Sequence, residues 1–125
     1  IIPFELLKSN DDPRNNALHL DCCLQPVGKN KAIACPEVFL DLNQYKWIVD
    51  LFGAENIFEI SKEEMCDMHC NIFSIDQNVV VSDRSFIRLN AWLEKNNFIV
   101  EKIKYSEASK QGGLLRCSTL PLNRE

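Results

Sequence analysis

Three short segments hold residue types that can do covalent chemistry: His19-Leu20-Asp21, the stretch around Asn71, and Gln111-Gly112-Gly113-Leu114-Leu115-Arg116-Cys117-Ser118-Thr119-Leu120-Pro121-Leu122. The first is expected on a strand, where alternate side chains share a face. His19, Asp21 and Cys23 then point one way, and Leu18, Leu20, Cys22 and Leu24 the other. The apolar face must be core, which leaves an imidazole and a carboxylate side by side, roughly 7 Å apart by the strand rise. That separation is too long for a direct hydrogen bond and suits two groups gripping one small substrate. A solvated His and Asp at a strand end is the plain alternative. In the last segment two glycines permit conformations that other residues avoid and allow close approach to a ligand. Arg116 sets a cation beside Cys117, a neighbour that suits an attacking thiolate. Ser118 and Thr119 offer hydroxyls or a helix cap. Against this stands the commoner fate of a lone cysteine after a turn, which is burial.

Other constellations carry less. Cys66, His69 and Cys70 are zinc-type ligands, but a structural zinc site needs four in spaced pairs, and Cys22-Cys23 lacks the spacer. No metal or other cofactor is expected. Neither a phosphate-cradling Gly loop nor a Ser nucleophile elbow is present. Trp47 and Trp92 read as helix residues packing at sheet–helix contacts.

The elements that must position these groups form a repeat. Residues 1–16 read as a short apolar start and a polar loop. Ala17 to Val27 reads as a strand, Gly28-Lys29-Asn30 as a turn, and Lys31 to Cys35 as a second strand. A helix from Pro36 to Phe52 follows, with Val38, Leu42, Tyr45, Val49 and Phe52 as its core stripe and Gly53 as its stop. Asn56 to Ile60 is a third strand, and Ser61-Lys62-Glu63-Glu64 has the form of a capping box that opens a short helix to about Met68. The same order returns: strands at Asn71–Ile75 and Val79–Ser82, a helix at Ser85–Lys95 with Phe86, Leu89 and Leu93 on one face, and a strand at Phe98–Tyr105. Two ββαβ units, about 17–60 and 71–105, are thus expected, followed by the nucleophile segment 106–125. Such modules stack against like neighbours.

With 125 residues, 46% hydrophobic and 26% charged, the chain has the composition of a globular domain. A formal net charge of −4 excludes a general nucleic-acid binder. No apolar run reaches the roughly 20 residues of a membrane helix, so no membrane partner is expected. Six cysteines sit in strand-like or helical stretches, and free thiols in a reducing, cytoplasmic compartment are the expected state. The start Ile1-Ile2-Pro3-Phe4-Glu5 has neither the form of a signal peptide nor a methionine, so a longer or processed protein is expected.

In order and spacing, His19-Leu20-Asp21, Asn71-Ile72-Phe73-Ser74-Ile75 and Gly112 through Leu122 resemble the pentein superfamily, which includes arginine deiminases, amidinotransferases and dimethylargininases. His19 through Gly28 looks closest to bacterial amidinotransferase-like or deiminase-related proteins. The resemblance implies the carboxy-terminal part of an α/β propeller of five ββαβ modules, with about two modules plus a closing segment in residues 1–125. It also implies Cys117 as nucleophile, His19 as acid–base partner, Asp21 as a guanidinium-binding carboxylate, and a small cationic guanidino compound as substrate. The amino-terminal half of the propeller, with its own carboxylates, would be the missing partner, and without it the fragment is expected to be inactive.

Departures matter. Gly112 stands where arginine deiminases place an arginine, and Leu114 where many relatives carry a third glycine. Asp21 itself points away from dimethylargininases, which usually lack an acid there. Hydrolysis of the guanidino group to a ureido product is the first reading. Transfer of the amidino group to an amine acceptor shares its first half-reaction, and a non-catalytic interaction fragment is the third.

Overall fold

The computed structural model describes residues 1–111 and 113–120. Gly112, Pro121 and Leu122 of the expected nucleophile motif lie outside these described residues. The fold is mixed α/β with two three-stranded sheets, one in each of two compact units, Ile1–Cys70 and Asn71–Glu125.

In the first unit β1 (Leu24–Val27) and β2 (Lys31–Ala34) pair antiparallel, and β2 pairs parallel with β3 (Ile57–Glu59). Between β1 and β2 the chain turns through Gly28, whose φ of 62° lies in the left-handed region that glycine tolerates. Helix α1 (Leu42–Phe52) makes the crossover that a parallel pair requires. Gly53, at φ 84°, ends it. Ser61 and Glu64 then make the expected reciprocal capping box at the start of α2 (Lys62–Cys66). Ile33, Val38 and Ile48 are fully buried in this unit.

The second unit repeats the connectivity. β4 (Phe73–Ser74) pairs antiparallel with β5 (Val79–Asp83), and β5 pairs parallel with β6 (Ile99–Ile103) across α3 (Ile87–Lys95). Phe86, Leu89 and Leu93 are buried, as their spacing predicts.

Two expected elements are corrected. Residues 17–23 do not form a strand. His19 to Cys22 and Leu20 to Cys23 close short-range backbone bonds of 3.1 Å, making a 3-10 turn over Leu20–Cys22. The Lys8 ammonium takes the Ala17 and Leu18 carbonyls that a ladder partner would have used. Leu18 and Leu20 are consequently exposed and Cys23 is fully buried, the reverse of the expected faces.

The long helix from Pro36 also fails. Pro36–Val38 is a separate 3-10 turn, and Phe39 after it is extended, where the amino-terminal segment pairs with the chain. Leu7 N–H donates to the Val38 carbonyl at 2.8 Å, Leu40 N–H to the Glu5 carbonyl at 2.9 Å, and Leu6 bridges Phe39. Asp41 then caps α1 by accepting from Asn43 N–H. Leu42, assigned to the core stripe, is exposed, and Ile48 is the buried residue of the helix. Trp47 stays partly exposed, its ring 6.1 Å from that of Phe4.

Asp83 closes the second sheet. Its carboxylate, 1% exposed, accepts from Ser85 N–H and Oγ and from Tyr105 N–H, at 2.7 to 2.9 Å. Burial alone would push this carboxyl up, but bonds from Ser85, Tyr105 and Ser106 outweigh it and hold the group below its ordinary value of 3.8. The native state therefore binds the proton less readily than the unfolded chain. Its stabilisation is complete above pH 3.8 and is lost as pH falls through the lower native value. Asp83→Ala is expected to cost about 1–3 kcal/mol at neutral pH, because it orphans these donors. In urea unfolding at pH 5 and pH 3, the gap between wild type and variant should narrow at the lower pH. A gap independent of pH would show that the carboxylate charge is not what ties the strand ends.

Candidate active site

His19 precedes and Asp21 lies within a 3-10 turn, in place of the expected strand. An extended chain would hold them roughly 7 Å apart. In the turn, ligand-capable atoms of His19, Asp21 and Cys22 all lie within 4.8 Å of one another. His19 itself is extended, at φ −136° and ψ 165°, and its ring makes no capping bond, so the imidazole is not spent on the helix end. Both His19 and Asp21 are exposed. Lys8 fixes the backbone just before them through the Ala17 and Leu18 carbonyls. An imidazole beside a carboxylate can exchange a proton while the carboxylate orients it or meets a cation. Among the described residues this is also the one group of three His, Cys or acidic side chains close enough to share a metal ion. Of Cys66, His69 and Cys70, the His69 ring contacts the Glu64 carbonyl at 2.8 Å, and the buried Cys70 thiol faces the Ile33 carbonyl.

Cys117 belongs to the second unit and sits in a built loop. Leu114 and Leu115 are 1% and 4% exposed and anchor it. A turn then lifts the next residues outward: Ser118 N–H and Oγ both donate to the Leu114 carbonyl, and Thr119 Oγ1 donates to the Leu115 carbonyl at 2.7 Å. The two hydroxyls thus brace the turn from within. Cys117 is left exposed at its apex.

Asn71 holds this apex. Its side chain reaches across 46 residues of sequence, with Nδ2 donating to Cys117 Sγ at 2.9 Å. Oδ1 accepts the backbone N–H groups of Arg116 at 2.9 Å and Cys117 at 3.2 Å. The residue is 1% exposed. Sequence reasoning marked the Asn71 segment but assigned the side chain no role. A signal existed, since a carboxamide within Cys70-Asn71-Ile72-Phe73 must find partners once buried. Lys8 was missed altogether, because a lysine in a polar run reads as solvated.

Gly113 closes the loop from the other side. A β-carbon built there would stand 2.9 Å from Cys117 Cβ and 3.5 Å from its sulfur. The close approach expected of the glycines is thus made to the cysteine itself. Cys117 Cβ is one bond from the backbone and cannot swing away. Gly113→Ala is expected to displace the thiol and to cost about 1–3 kcal/mol, as overpacking does. Alkylation of Cys117 should slow while the melting curve stays cooperative. An unchanged alkylation rate would mean that the loop absorbs the methyl group without moving the sulfur.

The six cysteine thiols are not equivalent. Burial pushes Cys23 up to about 12 and Cys35 up to about 11, and raises Cys70 well above the ordinary thiol value. These three stay protonated and inert at neutral pH. Cys22 and Cys66 are half-buried.

Comparison with known proteins follows the same lines. The family model described as N,N dimethylarginine dimethylhydrolase, eukaryotic, matches residues 1–124. YkgA of Bacillus subtilis (strain 168), an uncharacterized protein, is 25% identical over 107 residues, covering 86% of this chain and 36% of that one. The product-bound N-terminal domain of ArgZ, an arginine dihydrolase from the ornithine-ammonia cycle in cyanobacteria, superposes with a TM-score of 0.75. It is 22% identical over 90% of this chain and 40% of its own. SxtG, an amidinotransferase from Microseira wollei in the saxitoxin biosynthetic pathway, gives a TM-score of 0.68 at 20% identity, over 87% of this chain and 32% of its own. The chain therefore spans well under half the length of each of these relatives. No helix among the described residues is long and apolar enough to cross a membrane.

Proposed function

Since the chain belongs to the eukaryotic N,N dimethylarginine dimethylhydrolase family, within the pentein superfamily of guanidino-group-modifying enzymes, we propose that it carries the nucleophile and the acid–base residue of a guanidino-group hydrolase. The observation that carries this reading is the treatment of Cys117. It is the exposed one of the six thiols, at the apex of a turn braced by buried leucines, two hydroxyls and a buried carboxamide. A structural cysteine needs none of that apparatus.

In this reading the Cys117 sulfur attacks the central carbon of a guanidinium and forms a C–S bond. The C–N bond to the leaving nitrogen then breaks as His19 gives that nitrogen a proton, leaving an amidino-thioether. His19 next takes a proton from water, whose oxygen attacks the same carbon and releases Cys117 and a ureido product. Asp21 offers paired acceptors to the planar N–H edge of the substrate. From sequence, the acid at Asp21 spoke against the dimethylargininase branch. The chain nevertheless matches the model of that family over residues 1–124, which is why the methylated substrate is kept in the test.

The test uses the protein at its complete length, incubated with arginine and with N,N-dimethylarginine, each with and without glycine. Ureido product that is unaffected by glycine supports hydrolysis, and release of dimethylamine identifies the methylated substrate. Guanidinoacetate formed only when glycine is present would replace hydrolysis by amidino transfer. Neither product from either substrate would sink the proposal.

A further inference from the structure

We propose that Asn71 is a positioning residue for Cys117, and that the two ends of its carboxamide do separable jobs. The inference rests on the reading of Cys117 as nucleophile and adds a residue to it. Oδ1 gathers the N–H groups of Arg116 and Cys117, which fixes the backbone that carries the sulfur. Nδ2 donates to the sulfur itself.

The orientation of the amide follows from its surroundings. Two converging N–H groups need an acceptor, so the oxygen must face them. A flipped amide would set donor against donor, leaving Arg116 N–H only its longer 3.4 Å bond to the Asn71 backbone carbonyl and taking from Cys117 N–H the acceptor it has here. The NH2 end is thereby directed at Sγ. An N–H aimed at sulfur stabilises negative charge there and holds the remaining lone pairs in one direction. For an attacking thiolate both effects count, because reactivity then depends on where those lone pairs point.

Burial separates this arrangement from a chance surface bond. Asn71 is 1% exposed, between the fully buried Cys70 and the 1% exposed Ile72, where an amide would be costly without partners. All the interactions named for its side chain go to the Arg116–Cys117 apex. A residue kept only to fill space at this point would be apolar, like its neighbour Ile72.

Two variants in the complete protein test the division of labour. Asn71→Asp, assayed at pH 8, keeps an oxygen for the two backbone N–H groups and replaces the donor to sulfur with a second, negatively charged oxygen. Asn71→Ser removes the reach of both ends. The readout is the rate of Cys117 alkylation by iodoacetamide, measured by peptide mass spectrometry against Cys22 and Cys66 in the same sample. Both variants are expected to slow Cys117 by about tenfold or more, the scale of one charge-assisted hydrogen bond, with the two control cysteines unchanged. Turnover should fall through kcat with KM within about twofold, as when an interaction acts mainly on the chemical step.

Asn71→Asp alkylating at the wild-type rate would overturn the proposal and leave Asn71 as loop scaffolding alone. If that variant does not fold, Asn71→Ser decides: a wild-type ratio of Cys117 to control alkylation would overturn it equally. Failure of wild-type Cys117 to outpace Cys22 and Cys66 is a different result, and it would remove the nucleophile assignment itself.

Discussion

Cys117→Ser is expected to lower turnover of a guanidino substrate by at least about a thousandfold and to leave the fold intact, because a hydroxyl at neutral pH is a far weaker nucleophile than a thiol. The substitution is sterically mild. The bonds that shape the turn run from Ser118 to Leu114 and from Thr119 to Leu115, and they do not involve the Cys117 side chain. Backbone N–H of Cys117 keeps its bond to Asn71 Oδ1 in the variant. A melting temperature near wild type together with lost turnover is therefore the expected pair of results.

The same loop makes a matched prediction for labelling. A haloacetamidine carries the planar cationic group of the substrate, so it should modify Cys117 well before the other five cysteines. Cys23, Cys35 and Cys70 are buried and held protonated. Cys22 and Cys66, half-buried, are the internal standards. Uniform labelling across the accessible thiols, or retained turnover in Cys117→Ser, would overturn the nucleophilic assignment.

What was legible in the sequence divides along a physical line. The turn at Gly28, the stop at Gly53, the Ser61–Glu64 capping box and the α3 stripe are local, each decided by residues within a few positions of one another. All were readable. Residues 17–23 and 36–41 were misread because their backbone partners come from elsewhere in the chain: Lys8 on the Ala17 and Leu18 carbonyls, and Glu5 to Leu7 along Val38 to Leu40. Local pattern carries no trace of such pairing.

The candidate site follows the same rule. Cys117 and its preceding glycine announce themselves by type and spacing, whereas the bond from Asn71 spans 46 residues and is invisible until the second unit is folded. The misreading at His19 was also instructive chemically. The strand was wrong, but His19, Asp21 and Cys22 still present their ligand-capable atoms within 4.8 Å of one another from a 3-10 turn.

The second large effect concerns His19. His19→Ala is expected to lower kcat by about a hundredfold to ten-thousandfold, the usual worth of a positioned acid–base group, with KM changed much less. The reason is the leaving group. An amine expelled from a tetrahedral adduct needs a proton as the C–N bond breaks, and the imidazole is the group assigned to supply it. A substrate with the leaving nitrogen replaced by sulfur, an S-alkyl isothiourea, departs as a stable thiolate and needs no such proton. The alanine variant should therefore lose far less on that compound in the step that forms the amidino-thioether, read as the burst of thiol released in the first turnover. Steady-state turnover should remain slow, since water must still be deprotonated in the second half-reaction. Equal losses on both substrates would reduce His19 to a residue that only shapes its turn. An unchanged rate on the nitrogen substrate would move the acid–base role to another group, and the proximity of Asp21 and Cys22 to His19 would then have to be explained by something other than catalysis.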